Sequence, residues 1–293
     1  MKAMSNRHPT VLLFYFLAVL MISMFLTNPL ILAESFLGAL LLLVMLEGWG
    51  KALKSLLTIL PLLILITLSN PLFSKEGQTV LLSLFGKAIS AEALLYGLGI
   101  GLMLLGVLLW SRSFALLMTG DKFLYLFGKI TPGIALVLSM ALRFIPLLRR
   151  RFEKISSAQK TMGLYAGGKA KERMQGSMSA FSALMTWSLE NAVETGDSMR
   201  ARGYGLKGRT NFSVFRFKAN DFNFALTTIL FSALVFYAIF SGRLKFDYYA
   251  QDINFAPDAL SILTYFSFGL LCLLPFLYEL KESLKWKYFV SKI

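Results

Sequence analysis

The chain has 293 residues; 56% are hydrophobic, only 16% are charged, and the mean hydropathy is +0.64. A soluble domain carries about 25% charged residues, so lipid is the solvent for much of this chain. The net charge of +14 and the pI near 9.9 do not point to nucleic acid, because the basic residues cluster between long apolar blocks, as cationic loops on one side of a membrane do.

Lys2 and Arg7 precede an apolar run, 10–26, whose length suits a signal peptide or a first span. No clean small-x-small cleavage site follows and apolar chain resumes at once, which favours an uncleaved span. Thr27-Asn28-Pro29 predicts a tight turn, and a second span covers about 30–46. Glu47, Gly48, Lys51 and Lys54 read as a short polar loop. A third span covers about 56–73, with Pro61 near its start, where a missing N–H matters least. Residues 74–90 read as a loop holding a short apolar piece at 80–85. A fourth span, about 91–118, carries Gly97, Gly99, Gly101 and Gly106. These glycines form a small-residue face for close helix packing or mark a substrate path. Residues 121–131 read as a loop with Lys122 and Lys129.

From Pro132 to Leu148 the chain is apolar again. About 16 residues rise only about 25 Å, short of the ~30 Å hydrocarbon core. This piece reads as the buried start of a long helix rather than a separate crossing. Pro132 fits the first turn, Pro146 should bend the helix where charge begins, and Arg143 must reach a partner or the interface. Residues 143–218 hold fifteen Lys/Arg and five Asp/Glu, a balance of +10. Two apolar files run through them at helical spacing. One is Ile145, Leu148, Phe152, Ile155, Gln159, Met162; the other is Met174, Met178, Phe181, Met185, Leu189, Ala192, Gly196, Met199. Two long amphipathic helices follow, each closed by a glycine stretch, Met162-Gly163 and Arg200-Ala201-Arg202-Gly203-Tyr204-Gly205. The methionines either fill a core or offer an adaptable surface.

A fifth span covers about 222–240 and a sixth about 259–278, separated by a polar loop, 243–258, and followed by a tail with Lys281, Lys285, Lys287 and Lys292. The expected fold is an all-α polytopic membrane protein with about six transmembrane helices plus the two long amphipathic helices. Along the chain this makes membrane spans one to four in 1–131, a helical region in 132–218 and spans five and six in 219–293. The basic balance places both termini, the Lys51 loop and the basic region on the cytoplasmic side, and the loops near Thr27, Lys75 and Asp247 outside.

Chemistry is scarce. No Gly-x-x-x-x-Gly-Lys-Ser/Thr loop, His-Glu-x-x-His or Cys-x-x-Cys is present. Cys272, the one cysteine, lies inside an apolar block, and His8, the one histidine, reads as a solvated terminal side chain. Glu34, Glu47, Glu92 and Glu279 stand near span ends as interfacial acids, or less simply as an ion relay. With no candidate catalytic residue, metal site or cofactor site, function is expected to lie in shape and contacts.

Two passages make a resemblance specific. One is Leu142-Arg143-Phe144-Ile145-Pro146-Leu147-Leu148, followed by Ser157-Ala158-Gln159 and Gly163; the other is Ser198-Met199-Arg200-Ala201-Arg202-Gly203-Tyr204-Gly205. The chain resembles the transmembrane T component of energy-coupling factor transporters, a family linked with cobalt transport. That family carries an Ala-Arg-Gly signature near the end of each of two coupling helices. The second is intact here as Ala201-Arg202-Gly203; at the first, Thr161-Met162-Gly163 replaces Arg by Met162, with Lys160 as a neighbouring charge.

The resemblance implies a non-catalytic scaffold. It would join two cytoplasmic ABC-type ATPases, which bind the ATP, to a small membrane subunit that captures a vitamin or metal ion in a prokaryotic plasma membrane. Arg200, Ala201, Arg202, Gly203, Lys160, Met162 and Gly163 would dock the ATPases. Arg143, Pro146, Phe152, Met178, Phe181, Met185 and Leu189 would pack the coupling helices on each other and on the capture subunit. A stand-alone channel or secondary carrier is the alternative, supported by the glycine-rich fourth span.

Overall fold

The computed structural model describes residues 4–73, 80–84, 87–163, 170–206, 215–244, 246, 248–249 and 259–291. Among the described residues the regular structure is helical apart from one small hairpin. Its elements are α1 (Pro9–Phe25), α2 (Pro29–Glu47), α3 (Trp49–Phe73), β1 (Val80–Leu84), β2 (Lys87–Ser90), α4 (Ala91–Leu117), α5 (Gly120–Ile130), α6 (Pro132–Thr161), α7 (Ala170–Ala201), α8 (Ala219–Phe240) and α9 (Ala259–Val290). The antiparallel hairpin falls in the stretch read as a loop; 74–79 and 85–86 lie outside the described residues, as do 164–169, 207–214 and most of the loop before α9.

Among the described residues six helices are long and apolar enough to cross a membrane: α2, α3, α4, α6, α8 and α9. The number matches the expectation but the membership does not. The first predicted span forms α1, at 17 residues a shorter apolar helix, whereas α6 qualifies because its apolar start runs unbroken through Pro146 into the charged half. The apolar start was expected not to be a span, since only the apolar residues were measured; the helix that contains it has 30 residues.

Packing divides the chain into two units, Met1–Thr119 with Phe215–Ile293, and Gly120–Val214. Both membrane segments thus belong to one unit, and the second unit begins at α5 rather than at Pro132 because α5 packs on α6.

In the first unit α1 is central, packing on α4 and α8. Tyr15, Phe16, Trp110, Phe224 and Phe268 are its largest buried side chains, and the rings of Tyr15, Phe16 and Trp110 meet edge to face. Several polar groups inside find partners, as a dry interior favours. Tyr15 Oη donates to the Leu271 carbonyl (3.0 Å), and Trp110 Nε1 donates to Ser35 O (3.2 Å) and Oγ (3.1 Å). The glycine face of α4 is a packing face. A Cβ on Gly97 would stand 2.8 Å from the Thr67 carbonyl of α3, and one on Gly101 would press on Thr67 and Leu63.

The polar contacts sort the bundle into two ends. At one, Arg7 binds Asp221 (3.1 Å), the Met4 N–H donates to Glu279 Oε2 (3.3 Å), and Arg112 grips Glu47 with both carboxylate oxygens (3.1 and 2.9 Å). At the other, Tyr248 Oη donates to the Thr27 carbonyl (2.6 Å) and Asn28 Nδ2 to Tyr265 Oη (3.0 Å). The loops near Thr27 and Tyr248 therefore share one end, and the start of α1, the start of α8 and residue 279 share the other.

Four expectations change here. Lys51 and Lys54 are not in a loop: Gly48 (φ 87°) closes α2 and α3 begins at Trp49, which puts Pro61 in mid-helix. Residues 121–130 of the expected loop lie in α5. His8 is buried against Phe217 (ring centroids 5.2 Å). Glu279 stands at the polar end of the bundle, as an interfacial acid should, but is buried there.

Candidate functional site: the α6–α7 pair and its two capped ends

The second unit is a run of three helices with little interior. Gly128 faces Ala135 and Gly120 faces Leu142, so α5 and α6 form an antiparallel hairpin. Lys122 of α5, expected in a loop, is buried, and burial lowers its ammonium pKa from the usual lysine value. In α6, 30 residues long, no side chain is fully buried.

α7 runs antiparallel to α6 where they touch. Gln159 Nε2 donates to Ser179 Oγ (3.1 Å), and the Arg151 guanidinium lies 4.9 Å from the Trp187 ring centre. The α6 side uses Phe152, Ile155 and Gln159, half-buried members of the first predicted file; Ile145 and Met162 of that file are exposed.

The second file does not face α6. Met174, Met178, Phe181, Met185 and Leu189 are all exposed, as is Val193, which sequence reasoning did not include. They form an uncovered apolar stripe along α7, and of the file only Met199 is half-buried. The covered face of α7 is instead Gly176, Ala180, Leu184, Trp187, Asn191 and Thr195. Its readable signal was Gly176-x-x-x-Ala180, the small-residue pattern that lets helices approach closely. Met178, Phe181, Met185 and Leu189 thus carry none of the packing between the two helices. Arg143 and Pro146 are also exposed on α6.

The two helix ends share one construction. At the end of α7 the Gly203 N–H donates to Arg200 O (2.9 Å) and the Tyr204 N–H to Met199 O (3.0 Å), with Gly203 at φ 78°. These two bonds and the left-handed glycine define a Schellman cap, and they place Arg202 at the C-cap with Ala201 as the last helical residue. At the end of α6 the Gly163 N–H donates to Lys160 O (3.1 Å) and Gly163 has φ 80°, which places Met162 at the same position. Arg200, Arg202 and Lys160 are exposed, and Met162 is 75% exposed. Both caps thus present one side chain outward, a cation on one and a thioether on the other. Because the helices are antiparallel, the caps lie about 40 Å apart along the pair, counting 1.5 Å per residue from the Gln159–Ser179 contact.

Among the described residues this arrangement pairs no nucleophile with an acid or base; it has two capped helix ends and an apolar stripe.

The chain is similar to known proteins. The family described as CbiQ, cobalt transport protein, matches residues 2–212, which include α1 through α7 and both caps. The energy-coupling factor transporter transmembrane protein EcfT 1 of Listeria monocytogenes serotype 1/2a (strain 08-5578) is 32% identical over 183 residues, 58% of this chain and 69% of the relative. EcfT of Listeria innocua serovar 6a is 30% identical over 60% of this chain and 71% of its own length. EcfT of Bacillus selenitireducens is 27% identical over 76% of this chain and 88% of its own length. The chain is a multi-pass membrane protein and belongs to the CbiQ family of cobalt transport proteins.

Proposed function

We propose that this protein is the transmembrane coupling component of an energy-coupling factor importer. Its two helix caps bind two cytoplasmic ATPases, and the apolar stripe of α7 receives a small membrane subunit that captures a vitamin or metal ion. ATP is bound and split by the partners, and this chain performs no chemistry. The pair of caps is the observation that carries the reading. Two matching C-caps about 40 Å apart suit two separate grooves, and antiparallel packing turns a movement at either tip into a movement of the whole pair. Arg202 supplies the cation for a carboxylate or for helix-end carbonyls in one groove. The stripe of Met174, Met178, Phe181, Met185, Leu189 and Val193 is too long and apolar to stand free in water. Its methionines adapt to different partner shapes.

The basic end of the membrane unit, with Arg7, Lys51, Lys54 and Arg112, suits the cytoplasmic side of a prokaryotic plasma membrane, with both termini on that side.

Co-expression with candidate ABC-type ATPases tests the reading. Arg202→Glu should lower ATPase copurification and ATP-dependent uptake by at least tenfold, as for a central interface residue, while insertion is unchanged. Unaltered copurification and uptake would reject the docking role. The stand-alone carrier is tested by liposomes holding the chain alone, where uptake without partners or ATP would favour it.

A further inference from the structure

We propose that the last three turns of α9 form an anchor for anionic lipid headgroups. α9 spans Ala259–Val290, 32 residues, and its last buried residue is Glu279. A helix of that length rises about 48 Å, well beyond a hydrocarbon core of ~30 Å. Glu279 accepts from the Met4 N–H at the polar end of the bundle, so the chain beyond it leaves the bundle.

This extension is neither water-like nor lipid-like. Leu284, Trp286, Tyr288, Phe289 and Val290 are each more than half exposed. Lys281, Lys285 and Lys287 alternate with them against one acid, Glu282, for a balance of +2. At about 100° per residue, Trp286, Phe289 and Val290 share one sector with Glu282, and Lys285 and Lys287 flank it. Free in water, an isolated helix of about ten residues would fray; in hydrocarbon the lysines would be costly. The headgroup layer satisfies both: aromatic rings settle at the acyl boundary while lysine stems reach outward to phosphate. The positive balance selects anionic over zwitterionic headgroups.

The test uses the full chain in nanodiscs, with Trp49→Phe and Trp187→Phe so that Trp286 reports and buried Trp110 serves as reference. As phosphatidylglycerol replaces phosphatidylcholine, Trp286 emission should shift to shorter wavelength and its quenching by neutral acrylamide should fall. In the triple variant Lys281→Gln, Lys285→Gln, Lys287→Gln the phosphatidylglycerol fraction needed for half of this protection should rise several-fold. Equal quenching in both lipids overturns the proposal, as does a triple variant that responds like its parent. Protection that arises only on adding the ATPases assigns the segment to a protein interface and also overturns it.

Discussion

Arg202 and Met162 hold the same C-cap position, each before a left-handed glycine whose N–H reaches back to the carbonyl three residues earlier. The caps depend on their glycines. Gly203 sits at φ 78°, and a Cβ there would lie 3.0 Å from Leu206 Cδ1. Gly203→Val should therefore cost about 1–3 kcal/mol locally, seen as fraying of the α7 end in hydrogen exchange and as reduced ATPase copurification. Parent-like exchange at Arg200–Tyr204 would refute the cap assignment. A second residue-scale case is the buried Arg7–Asp221 pair. Asp221 also accepts from the Lys218 N–H (3.2 Å), while Tyr278 and Phe224 face the guanidinium at 4.3 and 5.4 Å. Asp221→Asn leaves a buried cation without its counter-charge and should destabilise the detergent-solubilised protein by about 3–5 kcal/mol. Arg7→Met with Asp221→Leu should recover most of that loss. If the single and double variants melted alike, the pair would not be the source of the effect.

At the scale of elements, α7 has two faces of opposite character. The covered face begins with the small residues Gly176 and Ala180 and runs on through Leu184, Trp187, Asn191 and Thr195, whereas the apolar stripe is bare. The two should respond oppositely to substitution. Ala180→Leu wedges a packed contact and should cost about 1–3 kcal/mol, read as a lowered melting temperature. Met185→Glu lies on the exposed stripe and should change the stability of the isolated chain by no more than about 0.5 kcal/mol, yet weaken association with the membrane partner. A large fall in the melting temperature of the Met185→Glu chain alone would mean that the stripe is an internal surface. The same pattern explains the unexpected elements. Lys51 and Lys54 look like loop residues, but long cationic stems leave a helix for water without ending it. Residues 121–130 look polar, yet Phe123, Leu124 and Phe127 among the charges make an amphipathic helix.

For the whole molecule, the contacts sort the membrane unit into two ends, and charge sorts the ends into sides. With Cys272→Ser as background, single cysteines at Lys54, Met162 and Ser291 should react with a membrane-impermeant maleimide only from the cytoplasmic face, and one at Thr27 only from the opposite face. Labelling of Met162→Cys from the outer face would remove any role for that cap in binding cytoplasmic ATPases. The Thr27 and Met162 positions also fix the side on which α1, of 17 residues, and α6, of 30 residues, end.

Much of this was legible in the residues alone. Hydropathy blocks marked the membrane helices, 3–4 spacing marked α6 and α7, and Met162-Gly163 and Arg202-Gly203 marked their ends, because these are local properties of backbone and side chain. Tertiary structure decided what each surface meets. Periodicity shows that Met178, Phe181, Met185 and Leu189 share a face; it does not say whether that face is covered, since burial depends on a neighbour far along the chain. For the same reason Arg7 could not be joined in advance to Asp221, 214 residues away, nor Tyr248 to Thr27. Local chemistry is written in adjacent residues, whereas the pairing of surfaces is settled only when distant helices compete for the same interior.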